Sequence, residues 1–181
     1  MEKIQIHTER LYVRNLEPKD LKNFHEYRSN PEVTKYQGFD VFSLEEARAF
    51  IDSQKDKLFG KPGDWVQYGI ENKISKRIIG DCAIKLHADH RIAEIGITIS
   101  HNQQQKGFAK EVVLGIMDYL FSAKNIHRIV ETVDAENLAS IRLMESIGFR
   151  QEGHFVENIF FKGKWGSEIQ FAMLKSEWLA K

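Results

Sequence analysis

The chain has 181 residues, 26 basic and 26 acidic side chains, and one cysteine, a length that holds a single α/β domain with a real core. Balanced charge gives no global pull toward nucleic acid or an anionic membrane, and no apolar run approaches a membrane span. The first residues lack the apolar core of a secretory signal, and the lone Cys82 excludes an internal disulfide, so a cytoplasmic location is expected.

In chain order, a first strand is expected over residues 4–15. Pro18 followed by Leu21, Phe24, His25 and Arg28 predicts a helix entered at a proline, which Asn30-Pro31 then breaks. Ser43 with Glu46 three residues later is a capping box, opening a helix to about residue 58. After a loop at 59–64, residues 65–71 and 78–87 read as strands about a turn at 72–76, and 94–100 as a fourth strand. Cys82 lies inside the third strand and reads as a buried structural thiol rather than a nucleophile. Ala109, Val112, Val113, Ile116, Met117, Leu120 and Phe121 recur on one face of an amphipathic helix. A fifth strand spans 126–133. Asn137 then caps a helix that stops at Gly148, and strands 152–161 and 165–174 pair across Gly163-Lys164. The order is β-α-α-β-β-β-α-β-α-β-β. No repeat or linker interrupts it, so residues 1–181 are expected to form one domain.

The most informative segment joins the fourth strand to the amphipathic helix: Gln104-Gln105-Lys106-Gly107-Phe108-Ala109-Lys110. The first amides of a helix have no intrahelical partner and sit at the positive end of its dipole, so together they cradle an anion. Gly107 permits close backbone approach, and Lys106 and Lys110 add charge. The segment reads as a pyrophosphate site. A single glycine, preceded by Lys106 and followed by no Ser or Thr, fits neither the Walker loop nor the dinucleotide fingerprint.

Gln104-x-x-Gly107-x-Ala109 resembles the acetyl-CoA loop of the GNAT superfamily of N-acetyltransferases. Other segments match the family in order: Thr8 to Asp20, Ala93-Glu94-Ile95-Gly96, Asn137 to Arg142, Glu145 to Phe149, and Trp165 to Trp178. The nearest branch is the RimJ/RimL type, which acetylates ribosomal proteins. The resemblance implies a mixed, mostly antiparallel sheet of about seven strands flanked by about four helices. The fourth and fifth strands splay apart, and the pantetheine arm lies between them. It also implies that the backbone of Ile97 to Ile99 holds the acetyl and pantetheine amides, and that Asn137 bonds cofactor amides or the facing strand. The variable stretch 29–42 then borders the acceptor, where Tyr36, Phe39, Phe42 and Trp65 could line the pocket or simply fill the core.

Acetyl transfer to an amine needs a neutral amine, a polarised carbonyl and a leaving thiolate. Glu94, at the start of the central strand, is the candidate base, acting directly or through water. The other reading of Glu94 is a solvent-facing strand charge or a structural partner of a nearby Arg. Ser140 is the candidate acid or thiolate stabiliser, or else a helix-entry hydrogen bond. Many family members carry a tyrosine seven residues after the asparagine, whereas Met144 stands there in this chain. The seven histidines show no ligand spacing, and no metal is expected. With no activated nucleophile in view, direct attack in a ternary complex is expected. The acceptor is expected to be a protein N-terminal α-amine. The alternatives are a small amine (polyamine, amino acid or aminoglycoside) or a non-catalytic acyl-CoA-binding module. An acidic acceptor mouth would favour polyamines or aminoglycosides, and an open groove a peptide. Monomer and homodimer are both compatible with the sequence.

Overall fold

The computed structural model describes residues 1–180. Eight strands form one sheet: β1 (Ile6–His7), β2 (Leu11–Asn15), β3 (Trp65–Asn72), β4 (Ile78–Leu86), β5 (Ile92–Ile99), β6 (Arg128–Asp134), β7 (Arg150–Phe161) and β8 (Lys164–Leu174). Their spatial order is β1-β2-β3-β4-β5-β6-β8-β7. The α-helices are α1 (Leu21–Arg28), α2 (Pro31–Thr34), α3 (Leu44–Gln54), α4 (Phe108–Asp118), α5 (Leu138–Ile147) and α6 (Lys175–Leu179). None of them is long and apolar enough to cross a membrane.

The expected first strand is two strands, which raises the strand number from seven to eight. The break at Thr8 to Arg10 has a distant cause. Glu111, in the first turn of α4, accepts from the Thr8 hydroxyl (2.5 Å), the Arg10 amide (2.7 Å) and Arg10 Nε (2.6 Å). The two extra helices are short. Asn30 caps α2 by accepting from the Glu32 amide at 3.0 Å, with Pro31 at its first position. Glu177 accepts from the Leu174 amide at the start of α6. Helix α3 stops before residue 58 because Asn15 Nδ2 binds the carbonyls of Lys55 (3.3 Å) and Lys57 (2.9 Å), drawing the chain out of helical register. The capping box at its other end forms as expected, Ser43 and Glu46 exchanging hydrogen bonds. Helix α4 widens into a π turn over Tyr119–Ala123, which keeps Leu120 and Phe121 buried.

Every strand pair is antiparallel except β5 with β6, the pair joined through α4. That parallel pairing lasts only for Ile92↔Arg128, Ala93↔Ile129 and Glu94↔Val130. Beyond it β5 stays on β4 as far as Ile99, and β6 stays on β8 as far as Asp134. The sheet therefore opens into a V whose apex lies just past Glu94 and Val130. A large apolar cluster packs α4 and α5 against the sheet through Val112, Ile116, Met117, Met144 and Phe171. A smaller one, with Phe24, Tyr27, Ala47 and Ile51, seats α1 and α3. The two helical layers hold the V open from either side.

Candidate active site

Helix α4 begins where the sequence places it. Gly107 is its N-cap with φ +78°, a left-handed conformation that costs glycine little. The first α-helical bond runs from the Glu111 amide to the Gly107 carbonyl, so the amides of Gly107, Phe108, Ala109 and Lys110 precede it. These residues border a cavity of about 420 Å³ with Ile97, Ile99, Gln104, Gln105, Asn137 and Ser140. An open run of amides at a helix start, reached through a glycine, fits a pyrophosphate.

One loop residue, Lys106, sits differently from expectation. Lys106 does not border the cavity. Its Nζ donates back to the Asn102 carbonyl (2.8 Å) and to Gln103 Oε1 (3.2 Å), so it braces the loop. Gln104 turns inward and donates Nε2 to the Ile99 carbonyl at 3.1 Å, tying the loop to the end of β5. Lys110 borders the cavity while its Nζ reaches the Ser146 carbonyl. Sequence reasoning missed Arg10. It donates to the Lys106 carbonyl, pairs with Glu111 and lies 4.4 Å from the centre of the Phe108 ring. Only the fold brings a residue of the first turn to this loop.

A second cavity, about 650 Å³, shares Tyr36, Gln37, Ile97, Thr98, Asn137 and Ser140 with the first. The two communicate along β5. Asn137 Oδ1 is used as the α5 N-cap, accepting from the Ser140 amide at 3.2 Å. The Ser140 hydroxyl itself has no partner among the described residues and stands where the cavities meet. Met144 is fully buried, and its thioether has no proton to give. Cys82 is also fully buried, and burial pushes its thiol well up, which suits a structural role.

Glu94 borders the second cavity and is paired: Lys85 Nζ lies 2.5 Å away and His87 Nε2 3.8 Å. Lys85 in turn lies over the Trp65 ring at 4.6 Å. Tyr36, Phe39 and Trp65 line this cavity, whereas Phe42 packs against Phe24 and Phe50. Carboxylates outnumber cations here. Asp64, ion-paired with Lys61, Glu94, ion-paired with Lys85, Asp134 and Glu168 line it beside Arg28, which is committed to Asp81, and Lys57, which donates to the Trp65 carbonyl. Lys162 Nζ donates to the Thr34 carbonyl at 2.6 Å, joining the β7–β8 turn to the segment around α2. A fifth carboxyl, Glu131 on β6, borders the same cavity and is buried. In sequence it is one more charge in a strand, and nothing there marks it.

Comparison with known proteins identifies the family. Residues 10–150 match the acetyltransferase (GNAT) domain. The uncharacterized N-acetyltransferase YnaD of Bacillus subtilis is 34% identical over 97% of this chain and 99% of its own length. A GNAT-family acetyltransferase structure from Bacillus anthracis superposes with a TM-score of 0.87 at 30% identity, covering 96% of this chain and all of that one. The spermidine N(1)-acetyltransferase of Vibrio cholerae is 30% identical over 93% of this chain and 95% of its own. A structure of the Vibrio cholerae spermidine acetyltransferase with CoA and spermine has a TM-score of 0.79 at 28% identity, covering 94% and 98%. A V-shaped opening between parallel strands, an open run of amides at a helix start beside it and a family match over most of the length converge. The chain belongs to the GNAT family of N-acetyltransferases.

Proposed function

We propose that this enzyme transfers the acetyl group of acetyl-CoA to a primary amine of a small polycationic molecule, a polyamine or a close chemical relative, by direct attack in a ternary complex. The observation that carries the acceptor class is the carboxyl-rich lining of the second cavity, which Tyr36, Phe39 and Trp65 also border. Carboxylates and aromatic rings are the surfaces that hold alkylammonium groups. The spermidine acetyltransferase relatives point the same way.

In this reading the α4 start holds the pyrophosphate, and the edge of β5 from Ile97 to Ile99, unpaired past the apex of the V, takes the pantetheine amides. An alkylammonium with a pKa of about 10 is almost wholly protonated at neutral pH, so it needs a base. Glu94 takes that role directly or through water, with Lys85 holding it in place. The Ser140 hydroxyl donates to the departing thiolate. The RimJ/RimL-type resemblance favours the other acceptor, a protein N-terminal α-amine.

Acetyl-CoA-dependent thiol release decides between them, with a panel of polyamines, aminoglycosides, amino acids, N-terminal peptides and ribosomal proteins. Turnover concentrated on the polycationic amines is the expected result. Turnover confined to peptides or ribosomal proteins would replace this acceptor with the protein N-terminus.

A further inference from the structure

Four carboxyl side chains are buried among the described residues: Asp20, Glu71, Asp81 and Glu131. Arg14 holds Asp20 at 2.7 Å and Glu71 at 2.8 Å, and Arg28 holds Asp81 at 2.5 Å. Glu131 has no cation. It is 4% exposed, and its Oε2 has no hydrogen-bond partner. A carboxylate in that setting is strongly disfavoured unless it stays protonated or a cation arrives. Burial first, and then the charge of Glu94, pushes this carboxyl up to about 8.

Its place in the fold is specific. Glu131 is the first residue of β6 beyond the last parallel pair, Glu94↔Val130, so it stands at the apex of the V and borders the acceptor cavity. The anion-binding loop lies at the far end of β5. A substrate held by that loop and laid along Ile99 and Ile97 brings its acyl end toward Glu94 and this apex. The charged groups around Glu131 are Glu94 on β5, Lys85 and His87 that close on Glu94, Asp134 further along β6 and Glu168 on β8. None of them supplies Glu131 with a counter-ion.

We propose that Glu131 is a catalytic carboxyl that the incoming ammonium group ionises and then protonates. The proposal rests on the cationic-amine reading above. The cation supplies the missing counter-charge, so Glu131 releases its own proton to solvent as the ammonium binds, and an ammonium N–H bond then breaks as its proton passes to the emptied Glu131 oxygen. The freed nitrogen lone pair then forms the C–N bond at the thioester carbonyl. The nitrogen's second proton passes to Glu94. The C–S bond breaks, and its electron pair leaves on the CoA sulfur, held by the Ser140 hydroxyl. Glu131 keeps the proton it took, which restores its resting state, and the proton on Glu94 passes to the thiolate as products depart. The sum is amide, free thiol and one released proton, with no oxidant or reductant. Each carboxyl thus has one proton to take, which explains why the site carries two of unlike environment.

The test uses Glu131→Gln, Glu131→Asp and Glu94→Gln in the full chain, with the best amine of the panel. Glu131→Gln is expected to lower kcat by about 100-fold with the acetyl-CoA Kd unchanged, and to abolish the part of the kcat/KM profile that titrates near pH 8. Glu131→Asp should recover part of the rate. A Glu131→Gln enzyme with kcat within about twofold of wild type and an unaltered pH profile would overturn the proposal. Infrared difference spectroscopy gives a readout that does not need turnover. A protonated-carboxyl band at neutral pH, absent from Glu131→Gln, should vanish when spermidine is added with CoA, and persistence of that band would also overturn the proposal. If wild type turned over no amine on the panel, the acceptor reading would fall by itself, and the response of this band would decide the role of Glu131.

Discussion

Arg28 and Asp81 face each other with Nη2 2.5 Å from Oδ1 and with 2% and 0% of their side chains exposed. The pair pins α1 to β4 directly beneath the acceptor cavity. Asp81 also accepts from Tyr27 Oη at 2.6 Å and from Gln67 Nε2, while the Phe39 ring covers the guanidinium at 4.1 Å. Breaking one side of such a pair strands the other charge in a dry site. Asp81→Asn is therefore expected to destabilise the fold by about 3–5 kcal/mol and to lower Tm by on the order of 10 °C. A double variant, Arg28→Met with Asp81→Leu, should recover much of that loss because no lone charge remains. Thermal unfolding of the three proteins checks this. A double variant as unstable as the single one would show that the pair's hydrogen bonds, not the stranded charge, carry the effect.

Gly107→Glu should abolish acetyl-CoA binding. A side chain at φ +78° is strained, and a Cβ there meets Arg10 Nη2 at 3.4 Å. Its carboxylate would add negative charge beside the α4 amides, where the pyrophosphate is proposed to sit. Gly107→Ala carries the backbone strain alone, about 1–2 kcal/mol, so the two variants separate strain from charge. Calorimetry is expected to show weakened binding for alanine and none for glutamate. Equal affinity for glutamate and wild type would place the pyrophosphate elsewhere.

Glu94→Gln should leave acetyl-CoA binding unchanged and lower kcat by about 100-fold. It also frees Lys85, which is 25% exposed and can turn to solvent, so the loss of stability should be small. Ser140→Ala should lower kcat by less, about tenfold, because a thiol is already a fair leaving group. Steady-state kinetics beside calorimetry reads both. Unchanged turnover in Glu94→Gln would leave Glu94 as the structural partner of Lys85.

How much of this was legible in the sequence divides along one line. Features written within a few residues were readable: the seven-residue apolar stripe of α4, the Ser43–Glu46 capping box, the Asn137 cap, and Gly107 at a helix start. Features set by residues far apart in the chain were not. The break in the first strand depends on Glu111, about a hundred positions away, and the early end of α3 depends on Asn15. Lys106 looked like a phosphate ligand because local charge is all that sequence displays, yet the loop's own carbonyls capture it. Nothing in the sequence singles out Glu131, because alternation along a strand does not reveal that the neighbouring strand has departed.

The Glu131 carboxyl also makes stability depend on pH, with a definite sign. Its folded value of about 8 lies above its ordinary 4.5, so between those values the folded protein keeps a proton that the unfolded chain has released. Stability therefore falls as pH rises through this window and levels off above it. The slope for one proton is at most about 1.4 kcal/mol per pH unit. Glu152 does not contaminate the window. Hydrogen bonds from Arg128, opposed by burial and joined by those from Arg150, hold it at about 2, so its contribution is lost only in acid. Urea unfolding from about pH 5 to 9 should show wild type losing stability relative to Glu131→Gln, and the difference should flatten above pH 8. Parallel curves for the two proteins would mean that Glu131 is already ionised in the empty enzyme. No ammonium would then be needed to draw its proton off, and the ionisation step proposed for it would have no basis.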